Sequence, residues 1–243
     1  MTVEEFDIRF DILYNNLASN AAVPLNAYEK SVFLSQAQRD IIIEIYNGRN
    51  TSGLSFESTE EARAYLRTLI VKANVLKEGE IAIEKANGEI AITNNKKYYK
   101  YIIDYKTLTK ENDLWFITYE EVIHNYEANR SIPVIPVKQD DLHELLKNPF
   151  KCPSKNRILR IDVDGTLVLY TEGSEGFKTI KDYVVLYIPK PTPIILEGID
   201  DDTLNIEGVK CIKDNISTGS APEILHQAIL ERAVALAKKT YIG

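Results

Sequence analysis

Cysteine is scarce in this chain of 243 residues: there are two, Cys152 and Cys211, accompanied by three widely scattered histidines, His124, His143 and His226. Neither a disulfide framework nor a C-x-x-C metal site can be assembled from that set, so both thiols are expected reduced and partly buried, and no metal or cofactor is expected. Positive charge is also in deficit, with 29 Lys and Arg against 36 Asp and Glu and a net charge of −7. A general nucleic-acid binder needs a basic footprint for phosphate, and an acidic wall would repel a duplex instead. No run of about 18 apolar residues is present, which argues against a membrane span. The opening MTVEEFDIRF is acidic and amphipathic, so a helix and a cytosolic setting are expected there, not a signal peptide. What is present, 44% hydrophobic and 27% charged residues, is the composition of a soluble globular protein of one or two domains.

Helices are announced by their caps. Thr2 with Glu5 and Asn26 with Glu29 each have the spacing of a capping box, in which two side chains satisfy each other's orphan backbone N–H groups. The first predicts a helix with Phe6, Phe10, Leu13, Tyr14 and Leu17 on one face. The second predicts a helix from Ala27 to the cap at Gly48, with Tyr28, Val32, Phe33, Ala37, Ile41 and Ile45 as its apolar stripe. Its end is anomalous. Ile41, Ile42 and Ile43 are adjacent, and at about 100° per residue they cover, with Tyr46, far more than one core-facing stripe. That end is expected to be buried on two sides, which makes Ile41, Ile42, Ile43 and Tyr46 candidates for a subunit interface. Ser58 with Glu61 predicts a third helix carrying Ala62, Tyr65, Leu66, Leu69, Ile70 and Ala73. Ser220 with Glu223 predicts a last one, with Ile224, Leu225, Ala228, Ile229, Leu236 and Ala237 inward.

Between these the period changes from helical to alternating. EIAIEKANGEIAIT predicts a hairpin turning at Asn87-Gly88, LWFITYEEVIHNY a strand, SIPVIPVKQ an extended segment, and Ile158–Tyr170 a second hairpin turning at Asp-Gly. Asp140 or Asp141 should open a short helix ended by Asn148-Pro149. From Tyr183 to Leu196 the chain reads as extended, with Pro189, Pro191 and Pro193 confining it to an edge or a bulge.

Three short segments invite functional readings. NKKYYKYIIDYK interleaves Lys96, Lys97 and Lys100 with Tyr98, Tyr99, Tyr101 and Tyr105, a pattern that can stack bases while neutralising phosphate. It is equally that of a strand whose tyrosines pack and whose lysines solvate an edge, and the structural role is expected to dominate. Ile161-Asp162-Val163-Asp164-Gly165-Thr166 reproduces DxDGT, the first motif of haloacid-dehalogenase-type phosphatases. That motif should end a strand and lead into a helix, whereas here strand-like sequence flanks an ordinary Asp-Gly turn, so no catalytic residue is expected. In NPFKCP, the two prolines leave little ordering entropy to lose, which suits a loop inserted into a neighbour. Asn148, Pro149 and Phe150 are therefore further interface candidates, although a buried corner within one subunit would look the same.

Three stretches in order along the chain carry a resemblance. They are FDIRFDILYNNLASN with PLNAYEKSVFLSQAQRDIIIEIYNG, then VIPVKQDDLHELLKNPFKCP, then YIPKPTPIILEG with the closing LHQAILERAVALAKKTYIG. Together they resemble the ring or adaptor structural proteins of crAss-like gut bacteriophages, the head-to-tail connectors stacked beneath the portal. The resemblance implies a homo-oligomeric ring of twelve subunits, contacts with the portal and other ring or tail proteins, and genomic DNA passing through the channel without specific binding. It further implies a place in the neck or tail of the virion after assembly in the host cytoplasm, and no membrane. The expected architecture is α+β: residues 1–78 and 218–243 as a helical domain, with a mainly antiparallel β domain, residues 79–217, inserted between.

Overall fold

The computed structural model describes residues 1–15, 24–47, 68–74, 91–93, 96–104, 114–124, 130–163, 165–172, 180–199 and 201–241. The fold is α+β. Two compact units divide it, one of Met1–Leu69 with Pro191–Gly243 and the other of Ile70–Lys190. The hairpin expected at Asn87-Gly88 and most of the helix expected after Ser58 lie outside the described residues.

In the first unit, helices α1 (Val3–Asn15), α2 (Ala27–Tyr46) and α4 (His226–Tyr241) pack together, α3 belonging to the other unit. Both N-terminal capping boxes form as the spacing predicts: Thr2 N donates to Glu5 Oε2 at 3.0 Å and Glu5 N to Thr2 Oγ1 at 3.1 Å, with Asn26 and Glu29 exchanging bonds of 2.9 and 2.8 Å. Phe6, Phe10 and Tyr14 of α1 are buried as expected, and Lys238 of α4 donates to Leu13 O at 2.7 Å, satisfying a carbonyl of the last turn of α1. The last helix does not start on the expected box. Pro222 precedes a 3₁₀ turn, Glu223–Leu225, with no side-chain cap, and Ser220 instead accepts from Thr192 N at 3.1 Å.

The buried face of α2 keeps Ala37 of the predicted stripe, with Tyr28 and Val32 partly buried, but is centred on other residues. Lys30, Ser31, Leu34, Ser35, Ala37, Gln38 and Ile42 are buried, and the polar members explain why the apolar pattern missed it. Ser31, Ser35 and Gln38 fall on one face at i, i+4 and i+7. Ser31 Oγ accepts from Leu196 N at 3.0 Å, Ser35 Oγ accepts from Ile194 N at 3.0 Å and donates to Ile194 O at 3.2 Å, and Gln38 Nε2 donates to Thr192 O at 2.8 Å. A helix climbs about 6 Å in four residues and an extended chain about 6.7 Å in two, so side chains and alternate backbone groups stay in step over three contacts. The helix thus covers one edge of strand β9 (Ile194–Ile195), whose other edge pairs with β12 (Ser217–Thr218). This is the physical reason that residues 191–217 group with the helices in the first compact unit. The hairpin β10 (Asp201–Ile206) and β11 (Val209–Cys211) belongs here too, its Ile206 and Cys211 packing with Ile195, Ile199 and, on α2, Tyr28 and Val32.

Among the described residues, the second unit contains an eight-stranded sheet. Its members are β1 (Val71–Asn74), β2 (Ala91–Thr93), β3 (Lys96–Asp104), β4 (Leu114–His124), β5 (Ser131–Pro136), β6 (Ile158–Val163), β7 (Thr166–Glu172) and β8 (Ile180–Pro189), in the order β1-β8-β4-β5-β6-β7-β3-β2. All neighbours are antiparallel except β5 and β6. The helix expected to run through Ala73 gives way to β1, because β-branched Val71 opens a segment that pairs with β8 from Tyr187 to Val184. Strand β5 tolerates two prolines inside the sheet by changing partner along its length: Ser131–Pro133 face β4 and Val134–Pro136 face β6. One core cluster takes residues from both arms of the sheet, Tyr101 and Ile103 of β3 together with Val185 and Tyr187 of β8, so the sheet curls around a single interior. A second cluster on the other face of β3, β6 and β7 lies under α3 (Gln139–Lys147) and the loop that follows it, through Leu146 and Cys152.

Candidate subunit interface

The NPFKCP loop is built outward from α3. Asn148 ends the helix, its N–H reaching back to Glu144 O and Leu145 O, and its side chain accepts from Phe150 N at 2.9 Å. Its own carbonyl accepts from Cys152 N at 2.9 Å and Lys151 N at 3.2 Å, while Arg157 Nη1 donates to Phe150 O at 2.6 Å. Cys152 and Pro153 are buried and anchor the far side. The backbone N–H groups of Phe150, Lys151 and Cys152 and the carbonyl of Phe150 are thereby held, yet Phe150 is 87% exposed. Of the two meanings left open by the sequence, a buried corner does not describe Phe150: the loop is rigid and presents its aromatic ring to the outside.

The second set of candidates separates. Ile42 is 2% exposed and belongs to the core of its own unit, so it is removed from the surface set; its neighbours Ile41, Ile43, Ile45 and Tyr46 are half-buried. Sequence periodicity passed over a third apolar feature. Ile8 and Ile12 of α1 are 52% and 57% exposed, one turn apart, on the side of the helix opposite the Phe6–Phe10–Tyr14 stripe. Plotting α1 on a wheel would have revealed them, because one amphipathic stripe does not account for both rows.

The other motifs find structural roles. Asp162 and Thr166 stand on antiparallel β6 and β7 with Val163 opposite Thr166, and Gly165 takes φ +73°, as the predicted two-residue turn requires. The Asp162 carboxylate is hydrogen-bonded by Arg160, and a strand, not a helix, directly follows the turn. Of the tyrosine and lysine patch, Tyr98 and Tyr101 are core residues, and Tyr98 Oη donates to Leu146 O at 3.3 Å. A base cannot stack on either ring. Among the described residues no cluster of His, Cys, Asp and Glu could hold a metal, and no helix is long and apolar enough to cross a membrane.

Buried charge is concentrated in two places. Lys30 of α2 reaches Asp7 at 2.8 Å and Asp11 at 2.7 Å on α1. Burial alone would lower its pKa, but the bonds and charges of Asp11 and Asp7 outweigh it and hold the ammonium above its ordinary value. In the second unit, Arg160 Nε donates to Glu120 Oε1 at 2.8 Å and Tyr183 Oη donates to Glu120 Oε2 at 2.6 Å, all three side chains buried within the curled sheet. Burial pushes the Glu120 carboxyl up despite the guanidinium beside it.

His226, at the start of α4, is buried against Phe6 with ring centroids 5.1 Å apart. Its Nε2 lies 3.1 Å from Ala221 O and its Nδ1 lies 2.8 Å from the Met1 amine, which fits a neutral ring donating from Nε2 and accepting at Nδ1. Desolvation lowers its pKa below the ordinary 6.5. The unfolded chain therefore binds the proton more readily, and this contribution to stability is complete above pH 6.5 and lost as pH falls below it, through the folded-state pKa. Urea titrations at stepped pH should show an acid loss of stability in that window for the parent and a flattened one for His226→Gln. Gly219 makes a second, steric prediction. It has φ +78°, and a Cβ there would lie 2.8 Å from Ile194 Cγ1 and closer still to Gln38 Oε1. Gly219→Ala should therefore cost about 1–3 kcal/mol, read as a lower denaturation midpoint, through left-handed strain and displacement of Gln38.

Residues 1–242 match the family described as phage tail ring protein 3/4. Among individual relatives, Ring protein 3 of Bacteroides phage crAss001 is 37% identical over 250 residues, covering 98% of this chain and 95% of the relative. Ring protein 4/5 of the same phage is 31% identical over 249 residues, covering 100% and 94%. The chain belongs to the phage tail ring protein 3/4 family, and is a virion structural ring protein of the crAss-like bacteriophage type.

Proposed function

We propose that this protein is a ring-forming connector of the neck or tail, stacked below the portal, twelve copies closing around the channel through which genomic DNA leaves the capsid. The observation that carries the reading is the match of residues 1–242 to the phage tail ring family, and the braced loop that exposes Phe150 supplies a contact for such an assembly. The acidic chain suits a passage that must not hold the duplex. The half-buried isoleucines at the end of α2 are a second contact surface, and assembly takes place in the host cytoplasm before the ring joins the portal and the other ring or tail proteins.

Gold-labelled antibody against the purified chain, applied to intact virions, should mark the junction of head and tail. Labelling confined to the capsid shell or to distal fibres would refute the placement. Duplex DNA should pass over the immobilised protein without retention at low salt. Retention that weakens as salt rises, in the manner of phosphate neutralisation, would contradict a passive channel.

A further inference from the structure

Resting on the ring reading, we infer that the seam between neighbouring copies is made by the NPFKCP loop of one subunit seated on the outer face of α1 of the next, with Phe150 set against Ile8 and Ile12. The two surfaces are both apolar at the centre and opposite in charge at the rim. One is a rigid knob with an exposed ring at its tip; the other is a shallow apolar row of two isoleucines one turn apart. Residues 147–157 carry Lys147, Lys151, Lys155 and Arg157 and no acid, although the chain as a whole is acidic. Helix α1 carries exposed Glu4 and Glu5 beside Arg9, and its Asp7 and Asp11 share the one buried cation Lys30 of α2, so four acids face two cations.

The same charges decide what occupies this face of α1. Nucleic acid and anionic lipid would be repelled by the carboxylates that rim it, while a basic loop is drawn to them. A second copy of this chain supplies such a loop. The surfaces lie on different parts of the sequence, so the contact is heterologous: each subunit offers a knob to one neighbour and a face to the other, which is the condition for a ring. Desolvating one aromatic anchor at the centre of a contact with a charged rim is also the usual distribution of energy in an interface.

Two variants with exposed substitutions test it. One, Ile8→Lys with Ile12→Lys, spoils the face and keeps the knob; the other, Phe150→Ala with Lys151→Glu, spoils the knob and keeps the face. Circular dichroism and thermal melts should match the parent, and mass photometry then reads assembly. Each variant alone should remain monomeric where the parent forms rings. An equimolar mixture should give a particle of twice the monomer mass and nothing larger, because only one seam can form between the two. Parent rings with a mixture that stays monomeric, or with variants that still close rings, overturn the pairing and leave the ring reading standing. A parent that is itself monomeric, with a monomeric mixture, overturns both.

Discussion

Arg160→Met is expected to destabilise the β unit by about 3–5 kcal/mol, the cost of leaving one member of a buried ion pair uncompensated. Glu120 has nowhere to go: it is buried, its other oxygen is bonded to Tyr183, and burial already raises its pKa. Removing the guanidinium leaves the carboxyl to take up a proton or admit water, and either route opens the interior of the curled sheet. Adding Glu120→Gln to Arg160→Met should recover a large part of the loss, because the residual penalty belongs to the charge and not to the missing contact. Urea midpoints of the parent, the single variants and the double variant measure this. A single-variant loss below about 1 kcal/mol would mean that the network is solvated and contributes little.

The other large effect is expected in the helical unit. Ser31→Ala and Ser35→Ala should each cost about 1–3 kcal/mol, and the double variant more than either, because each hydroxyl accepts from a backbone N–H of residue 196 or 194 that is buried against α2. The damage is to the strand and not to the helix, for alanine is the better helix former. Hydrogen exchange at the amides of Ile194 and Leu196 separates the two possibilities. Faster exchange there, with α2 amides unchanged, is the expected pattern; uniform acceleration across α2 would place the energetic role of the serines inside the helix.

These two sites also show where sequence was legible and where it was not. The capping boxes at Thr2 and Asn26 and the Asp-Gly turn before Thr166 were readable because each is a local device, in which residues within a few positions satisfy one another's backbone groups. The buried face of α2 was not readable, since Ser31, Ser35 and Gln38 find their partners about 160 positions away and look, in isolation, like a solvated stripe. Arg160 is a similar case: only its pairing with Glu120, 40 residues distant, distinguishes a buried arginine from an outward-facing strand residue. Ser220 was misread for the same reason, its hydroxyl being drawn to Thr192 N and away from the helix it precedes. In the loop proposed as a contact, the prolines of NPFKCP revealed stiffness, but the exposure of Phe150 depended on which side of the loop Cys152 anchored. Ile8 and Ile12 were obscured by a stronger stripe on the same helix.

Closure of the chain into a ring is central, and negative-stain electron microscopy of the purified protein across a range of concentrations tests it most directly. It predicts closed rings of one rotational order, twelvefold, at concentrations where the Phe150→Ala, Lys151→Glu variant shows only single subunits. Open filaments, or isolated subunits at every concentration of the parent, would contradict it.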